Sequence, residues 1–479
     1  MSKFNRQISN TRKTTNLAGG DAFVQDPKVE FVSILLTSFV KDQFYKSESE
    51  GLDRVVQLVD SLDKLFVAKA AVYARNEFGM RSISHVVAGE VAKRVKGEQW
   101  TKRFYDKVVH RPDDITEILS YYYSKYGKPY PNSLKKGLAL AFNKFDAYQL
   151  AKHRGEGKDI SLVDAINYVH PKPSEAVAVA LKKLVEGELR SENTWETKIS
   201  AAGKSENKEE AKKEAWSQLV KEGKIGYFAL LRNLRNILEQ APEVLDEALK
   251  LLEDEGRIRK SLVLPFRFMT ALEEIKKTNL DSAGLVMVSL NKAVETSLKN
   301  VPKLNGRTLV VLDNSGSMDG KPAEIGSLFA SILVKSNGAE FMVFSDDARY
   351  VTVNPADSVI TIAEQMRRSM TPSGTNFNAV FQEANKAYER IIILSDMQGW
   401  MGNGNWGYGA PSVTFKEYKT RTGADPIIYS FDLQGYGSLQ FPERNVYELA
   451  GFSDKVFDIM KLLETDRNAL VHKIEEVEI

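Results

Sequence analysis

The sequence predicts two folding units, an all-α array of helical repeats over residues 1–300 and a doubly wound α/β domain over residues 301–479. Three observations predict this. Apolar residues recur at spacings of three and four from about residue 25 to residue 300. After Val301-Pro302 the pattern changes to short β-branched or aromatic runs separated by helical segments. A chain of 479 residues, at roughly 150 per domain, is also too long for one core.

The elements follow in order. Met1 to Gly20 is polar and basic and lacks the apolar core of a secretory leader. Residues 31–40 form an apolar run that ends at Lys41-Asp42, about half the length of a bilayer span, and predict a buried helix. Amphipathic helices are expected over residues 52–77, 160–168, 174–187, 229–240 and 242–255, punctuated by Gly127-Lys128-Pro129, Pro171-Lys172-Pro173, Gly223 and Pro242. Many short helices without a long heptad run predict stacked helix pairs, as in an α-solenoid. Residues 186–215 are charged and polar and predict an exposed loop or helix turn. The stretch Lys292 to Arg307 is the expected junction. Beyond it, strands are expected over 308–312, 340–344, 390–394 and 426–431, with helices over 321–335, 358–370, 379–389 and 413–421.

Composition narrows the function. The chain has no Cys, which removes disulfide scaffolds, thiolate metal sites and thiol catalysis. Without a leader, a membrane span or Cys, a cytoplasmic protein is expected. The net charge of +2 hides a division: the first 300 residues carry 49 basic and 41 acidic side chains, the last 179 carry 17 and 23. The front part is thus +8 and the rear part −6. Within 121–150, Lys125, Lys128, Lys135, Lys136 and Lys144 stand against the single carboxylate Asp146, interleaved with Tyr121, Tyr122, Tyr123, Tyr126 and Tyr130. Such a stretch either meets phosphates and unpaired bases or is a solvated face over core tyrosines.

In the rear part the first expected strand runs into Asp313-Asn314-Ser315-Gly316-Ser317, one carboxylate and two hydroxyls on a single loop. These are hard oxygen ligands of the kind Mg2+ takes, although a strand-end turn also uses Asp and Ser to cap a helix. A second carboxylate, Asp396, follows the strand-like run that ends at Ser395, and Thr375 lies in the loop 371–376 between them. Parallel sheets place ligands at such strand ends. These pieces, in this order, resemble the metal-ion-dependent adhesion site of the von Willebrand factor A domain over residues 305–479. The resemblance implies direct coordination of a divalent metal, Mg2+ above all, by Ser315, Ser317 and Thr375. Asp313 and Asp396 would act through water, with one position open to a partner's carboxylate. The Gly/Asn/Trp-rich stretch from Gly399 to Trp406 follows directly. No phosphate-binding Gly-x-x-x-x-Gly-Lys-Ser/Thr and no His-Glu-x-x-His occurs, and no nucleophile–base pair stands out, so an enzyme is not expected.

Phrases in the front part carry a second resemblance. They are Thr15 to Phe23, then Ala151-Lys152-His153-Arg154, Leu162-Val163-Asp164 and Val169-His170-Pro171-Lys172-Pro173, and finally Trp216 and Leu230 to Asn236. With a C-terminal A domain, these look like the TROVE family of Ro autoantigens and their bacterial Rsr relatives. The resemblance implies a monomeric ring of HEAT-like helical repeats closed by the A domain. Such a ring binds small noncoding Y RNA on its basic outer surface and single-stranded ends of misfolded RNA in its central hole. In bacteria the Y RNA tethers it to an exoribonuclease. By position, the RNA contacts would fall on Lys152, His153, Arg154 and His170, with Lys158 nearby. Lys135 and Lys136, in the basic stretch 121–150, are further candidate RNA contacts, and Arg232 and Arg235 either point into a hole or pair with carboxylates. The competing expectation is an adaptor for AAA+ chaperone-like ATPases that docks partners through the A domain.

Overall fold

Helices alone fill the chain from Pro27 to Asn300 among the described residues of this computed structural model. The described residues are 13–15, 21–23, 27–37, 48–155, 157–189, 195–371, 373–396, 411–433, 446–450, 456–465 and 469–479. Much of the phrase at 15–23, part of the apolar run at 31–40 and the whole Gly/Asn/Trp-rich stretch at 399–406 lie outside them. A short antiparallel pair, β1 (Lys13–Thr15) and β2 (Asp21–Phe23), precedes the helices.

The expected periodic segments fold as helices with edges set by capping, except that the helix expected over 379–389 is Phe377–Glu383 and residues 384–389 are not helical. The run 52–77 splits because the Asp63 carboxylate accepts from the Phe66 N–H at 2.8 Å, which starts the helix Lys64–Glu77. Ser161 and Asp164 cap the helix Leu162–Val169 reciprocally, and Pro112 occupies the first turn of the helix Pro112–Tyr126. Helices approach closely where glycine permits. A Cβ on Gly137 would meet the Tyr105 ring at 2.7 Å and its Cβ at 2.5 Å, so the helices Thr101–Val108 and Asn132–Ala141 touch backbone to side chain there.

One expectation needs correction. The polar region 186–215 is not mainly loop: it holds the helix Trp195–Ala202 and the start of the helix Lys208–Lys221. Trp216, Leu219 and Val220 bury one face of the second helix, and the Trp216 indole donates to Gln240 at 3.1 Å. Glu209 and Glu210 in its first turn suit the positive helix end, so their charge marks a helix start rather than a loop.

From Thr308 a six-stranded sheet forms from β3 (Thr308–Asp313), β4 (Glu340–Phe344), β5 (Ala348–Tyr350), β6 (Arg390–Ser395), β7 (Ile427–Asp432) and β8 (Val446–Ala450). The order is β5-β4-β3-β6-β7-β8, parallel except for β5 at one edge. Both β5 and β8 were missed by the strand expectations. Val310, Leu312, Ile392 and Leu394 face one apolar layer with Phe329, while Leu309, Val311, Ile391 and Ile393 face another with Phe377, Phe381 and Phe415. Burial on both faces is what lets these strands be continuous apolar runs. Chain direction across the sheet reverses between β3 and β6, which places the switch point there.

The α/β part touches both ends of the helical array. The first helix, Pro27–Thr37, packs on β8, and Lys28 pairs with Glu475 at 2.9 Å. At the other end Phe266 stacks on Phe329 and Phe457, and Glu295 binds Lys335 at 2.5 Å and the Val359 N–H at 2.7 Å.

Candidate functional site

Two sites follow from this frame, one at the sheet switch point and one in the helical array. At the first, Asp313 ends β3 and Asp396 follows β6, so the reversal of strand order brings both carboxylates to one edge. Both are fully buried. Asp313 accepts from the Ser395 hydroxyl at 2.5 Å and from the Ser315 N–H at 2.8 Å. The Ser315 and Ser317 hydroxyls stand 3.1 Å apart, Ser315 buried and Ser317 exposed. The loop that holds buried Thr375 is stitched alongside: the Asn314 amide donates to the Thr371 carbonyl at 2.7 Å, and Gly316 N–H to the Ser373 carbonyl at 3.3 Å. Asp346 clamps that loop through the Ser373 hydroxyl and the Gly374 N–H, and sequence reading passed it over.

Burial pushes the Asp313 carboxyl up to about 7, against the pull of the Ser395 hydroxyl, and the neighbouring Asp396 charge adds to the rise. Among the described residues no basic side chain pairs with Asp313. A buried carboxylate lacking a cation, beside a second carboxylate and a row of hydroxyls, is a donor set that fits a hard divalent ion. Among the described residues no three His, Asp or Glu side chains converge as metal ligands, so hydroxyls would have to complete any shell here.

The second site grows from the start of the helix Pro112–Tyr126. Asp114, fully buried, accepts from Arg75 at 2.9 Å, from Arg81 at 2.6 Å, and from the His110 and Arg111 backbone N–H groups at 2.8 and 3.0 Å. Its second neighbour His85 lies 3.2 Å away and contacts Glu117 at 3.0 Å on its other ring nitrogen. Burial alone would raise the Asp114 carboxyl, but His85 and Arg75 hold it well below the usual carboxylate range. Asp113 binds Arg81 at 2.7 Å, Arg111 at 3.0 Å and His153 at 3.4 Å, and Lys158 reaches toward Glu117 at 3.9 Å. Burial lowers the His153 imidazole, Asp113 opposes this, and Arg111 and Lys152 add to it.

Of the residues expected to meet RNA, His153 and Lys158 therefore join one cluster. Lys152 ends the helix Ala147–Lys152, exposed, with Arg154 just beyond the His153 cap. His170 is the left-handed cap of the helix Leu162–Val169 and is exposed. Lys136 is exposed and Lys135 half-buried on the helix Asn132–Ala141. Arg232 is exposed, whereas Arg235 is tied to Glu239 at 3.0 Å and Glu274 at 2.9 Å, the carboxylate-pairing alternative. Arg81, Arg111 and their carboxylates Asp113, Asp114 and Glu117 were missed, because no local phrase of the sequence marks them.

The Lys/Tyr stretch serves the core more than a surface. Tyr122 and Tyr130 are buried, while Tyr121 and Tyr126 donate to buried Glu90 at 2.5 and 2.7 Å. Only Tyr123, at 51% exposure, faces out among these five. Lys144, exposed, donates to the Val109 carbonyl at 2.7 Å and pairs with Asp106 at 3.2 Å. The core-tyrosine alternative holds for most of the stretch.

Fold and sites together define a class: a helical array bridged at both ends by an α/β unit whose acidic and hydroxyl loops gather at the switch point. The TROVE domain model matches residues 33–187 and 186–310, and the chain belongs to the TROVE domain family, whose proteins are generally RNA-binding. It is 23% identical over 348 residues to telomerase protein component 1 of Mus musculus, and equally to that of Rattus norvegicus. Each match takes 54% of this chain but 13% of the relative, so the chain spans a small part of their length. The crystal structure of the Deinococcus radiodurans Ro (Rsr) protein superposes with a TM-score of 0.67 at 18% identity, covering 94% of this chain and 100% of that one. That likeness establishes the shared fold.

Proposed function

We propose that this chain is a non-enzymatic RNA-binding scaffold of the Ro type: a single-chain ring of HEAT-like helices, residues 1–300, closed by an A domain, residues 301–479. The cationic cluster at the start of the helix Pro112–Tyr126 carries the reading. There Arg81, Arg111 and His153 are held by Asp113, Glu117 also takes Arg81, and Lys158 lies nearby beside Lys152 and Arg154. Carboxylates that fix cationic side chains in place pre-order them for phosphate, and phosphate contacts set register on a nucleic acid. The RNA we assign to this face is a small, structured, Y-like noncoding RNA. Single-stranded ends of misfolded RNA would enter the central hole of such a ring, and an exoribonuclease is the expected protein partner. Telomerase protein component 1, as its name says, is a component of telomerase.

At the switch point, Ser315, Ser317 and Thr375 would hold Mg2+ directly, with Asp313 and Asp396 behind them. When bound, the ion supplies a hard Lewis-acid position that accepts a carboxylate from a partner. The chain's own part is to keep Asp313 oriented, through Ser395 and the Ser315 N–H, and to hold the Thr375 loop through Asn314 and Asp346.

Binding of a hairpin RNA with a single-stranded 3′ tail, set against the blunt hairpin, tests the hole: the tailed RNA should bind more tightly. Equal affinity would restrict binding to the outer face. The Asp313→Ala variant should lose Mg2+ binding by titration calorimetry and keep RNA binding. If neither RNA binds while a partner docks through Asp313, the adaptor reading replaces this one.

A further inference from the structure

We propose that the groove running away from Ser315 docks a mixed-charge protein segment, with one carboxylate toward Ser315 and a second acidic side chain on Arg367 and Arg368. The groove encloses about 510 Å3 between the first turn of the helix Lys321–Asn337 and the last turn of the helix Val359–Arg368. That is the size of a cleft for a short segment rather than for a whole protein face. Ala323 and Met370 supply small apolar patches in it, and charged side chains form the walls.

Those charges choose the ligand. Arg367 stands 3.6 Å from Glu324, and Arg368 stands 3.9 Å from Glu364, both beyond hydrogen-bond range. The Arg368 side chain is 82% exposed. Their planar N–H forks are therefore not committed to those carboxylates and suit bidentate pairing with an incoming acid. Asp319, Glu324 and Glu364 line the same groove, so carboxylates outnumber the arginines. A continuous phosphate backbone, which requires a net cationic track, is repelled by that lining. A peptide that places a base between two acids satisfies both signs, and we commit to a protein segment. The Ser315 half of this inference rests on the metal reading above; the Arg367/Arg368 half does not.

The test uses the full chain and fluorescein-labelled peptides in fluorescence anisotropy. The first peptide carries Asp-Gly-Lys-Gly-Asp in a Gly/Ser frame, with one- and two-residue spacing variants; in the second, Lys replaces the distal Asp. With Mg2+ the first should bind, and the Arg367→Glu/Arg368→Glu double variant should weaken it by about tenfold or more. The same double variant should restore binding of the second peptide, a charge swap that general unfolding would not produce. A ten-residue oligouridylate should not compete. Loss without rescue, affinity unchanged by the double variant, no binding by any spacing, or displacement by oligouridylate would each overturn the proposal. Mg2+ titration separates the two readings: if the wild-type chain takes no Mg2+, the metal assignment fails, while the swap in EDTA still reads the arginine half.

Discussion

Asp114 shows how a single buried carboxylate organises a cationic surface. Its oxygens collect Arg75, Arg81 and two backbone N–H groups, and Asp113 beside it orients Arg81, Arg111 and His153. Removing it leaves buried Arg75 without its carboxylate, so Asp114→Ala should cost about 3–5 kcal/mol in urea unfolding. A loss under 1 kcal/mol would show that the cluster is loosely held. The pH dependence follows from the same residue. Its carboxyl is held far below its ordinary value in the folded chain, so its contribution is complete above pH 3.8 and is lost as pH falls further. Asp114→Asn should flatten the acid limb of the stability curve. His153 acts at higher pH: burial lowers it below 6.5, so the unfolded chain takes up the proton first. Stability from this source is full above 6.5 and falls as pH drops through that value. His153→Gln should remove this part of the slope between pH 7 and 5, while an unchanged slope would place its source elsewhere. Little of this cluster was legible in the sequence. His153 and Lys158 stood out through a family phrase, but Arg81 and Asp114 are 33 positions apart, and no local pattern announces a long-range ion pair.

At the scale of elements, packing distance rather than propensity sets the helical array. Gly137 lets the helix Asn132–Ala141 rest on Tyr105, which is itself fully buried. Gly137→Ala would favour helix formation by propensity yet place a Cβ 2.5 Å from the Tyr105 side chain. Overpacking should win and destabilise the chain by about 1–3 kcal/mol, read as a lowered urea midpoint. A stabilised variant would mean that the two helices separate readily. Most helices and four of the six sheet strands were readable because periodicity survives wherever one face is buried or a strand is buried on both. β5 and β8 were not: β5 has three residues on an edge, and β8, only five residues long, carries the charged Glu448 at its centre. The helix Lys208–Lys221 was hidden by its charge, with its buried face confined to Trp216, Leu219 and Val220. The loop set at Asp313, Ser315 and Thr375 was legible because strand ends were. Its clamp, Asp346, was not, because it acts through two hydrogen bonds from a distant loop.

For the whole molecule, the near-neutral total conceals a +8 helical part and a −6 α/β part. The first helix, the helix Phe266–Lys276 and the helix Ala283–Ser297 all lean on the α/β unit, so the two parts share apolar contacts while keeping opposite charge. RNA binding should accordingly belong to the helical part and respond to salt as phosphate neutralisation does. The most direct measurement is the affinity of the tailed hairpin RNA for the full chain by filter binding across a salt series. If six to ten phosphates are neutralised, the binding constant should fall by roughly 10³ to 10⁵ between 50 and 200 mM salt, and Arg111→Glu should lessen the slope. Absence of binding at low salt, or an affinity that does not change across the series, would contradict an RNA-binding scaffold.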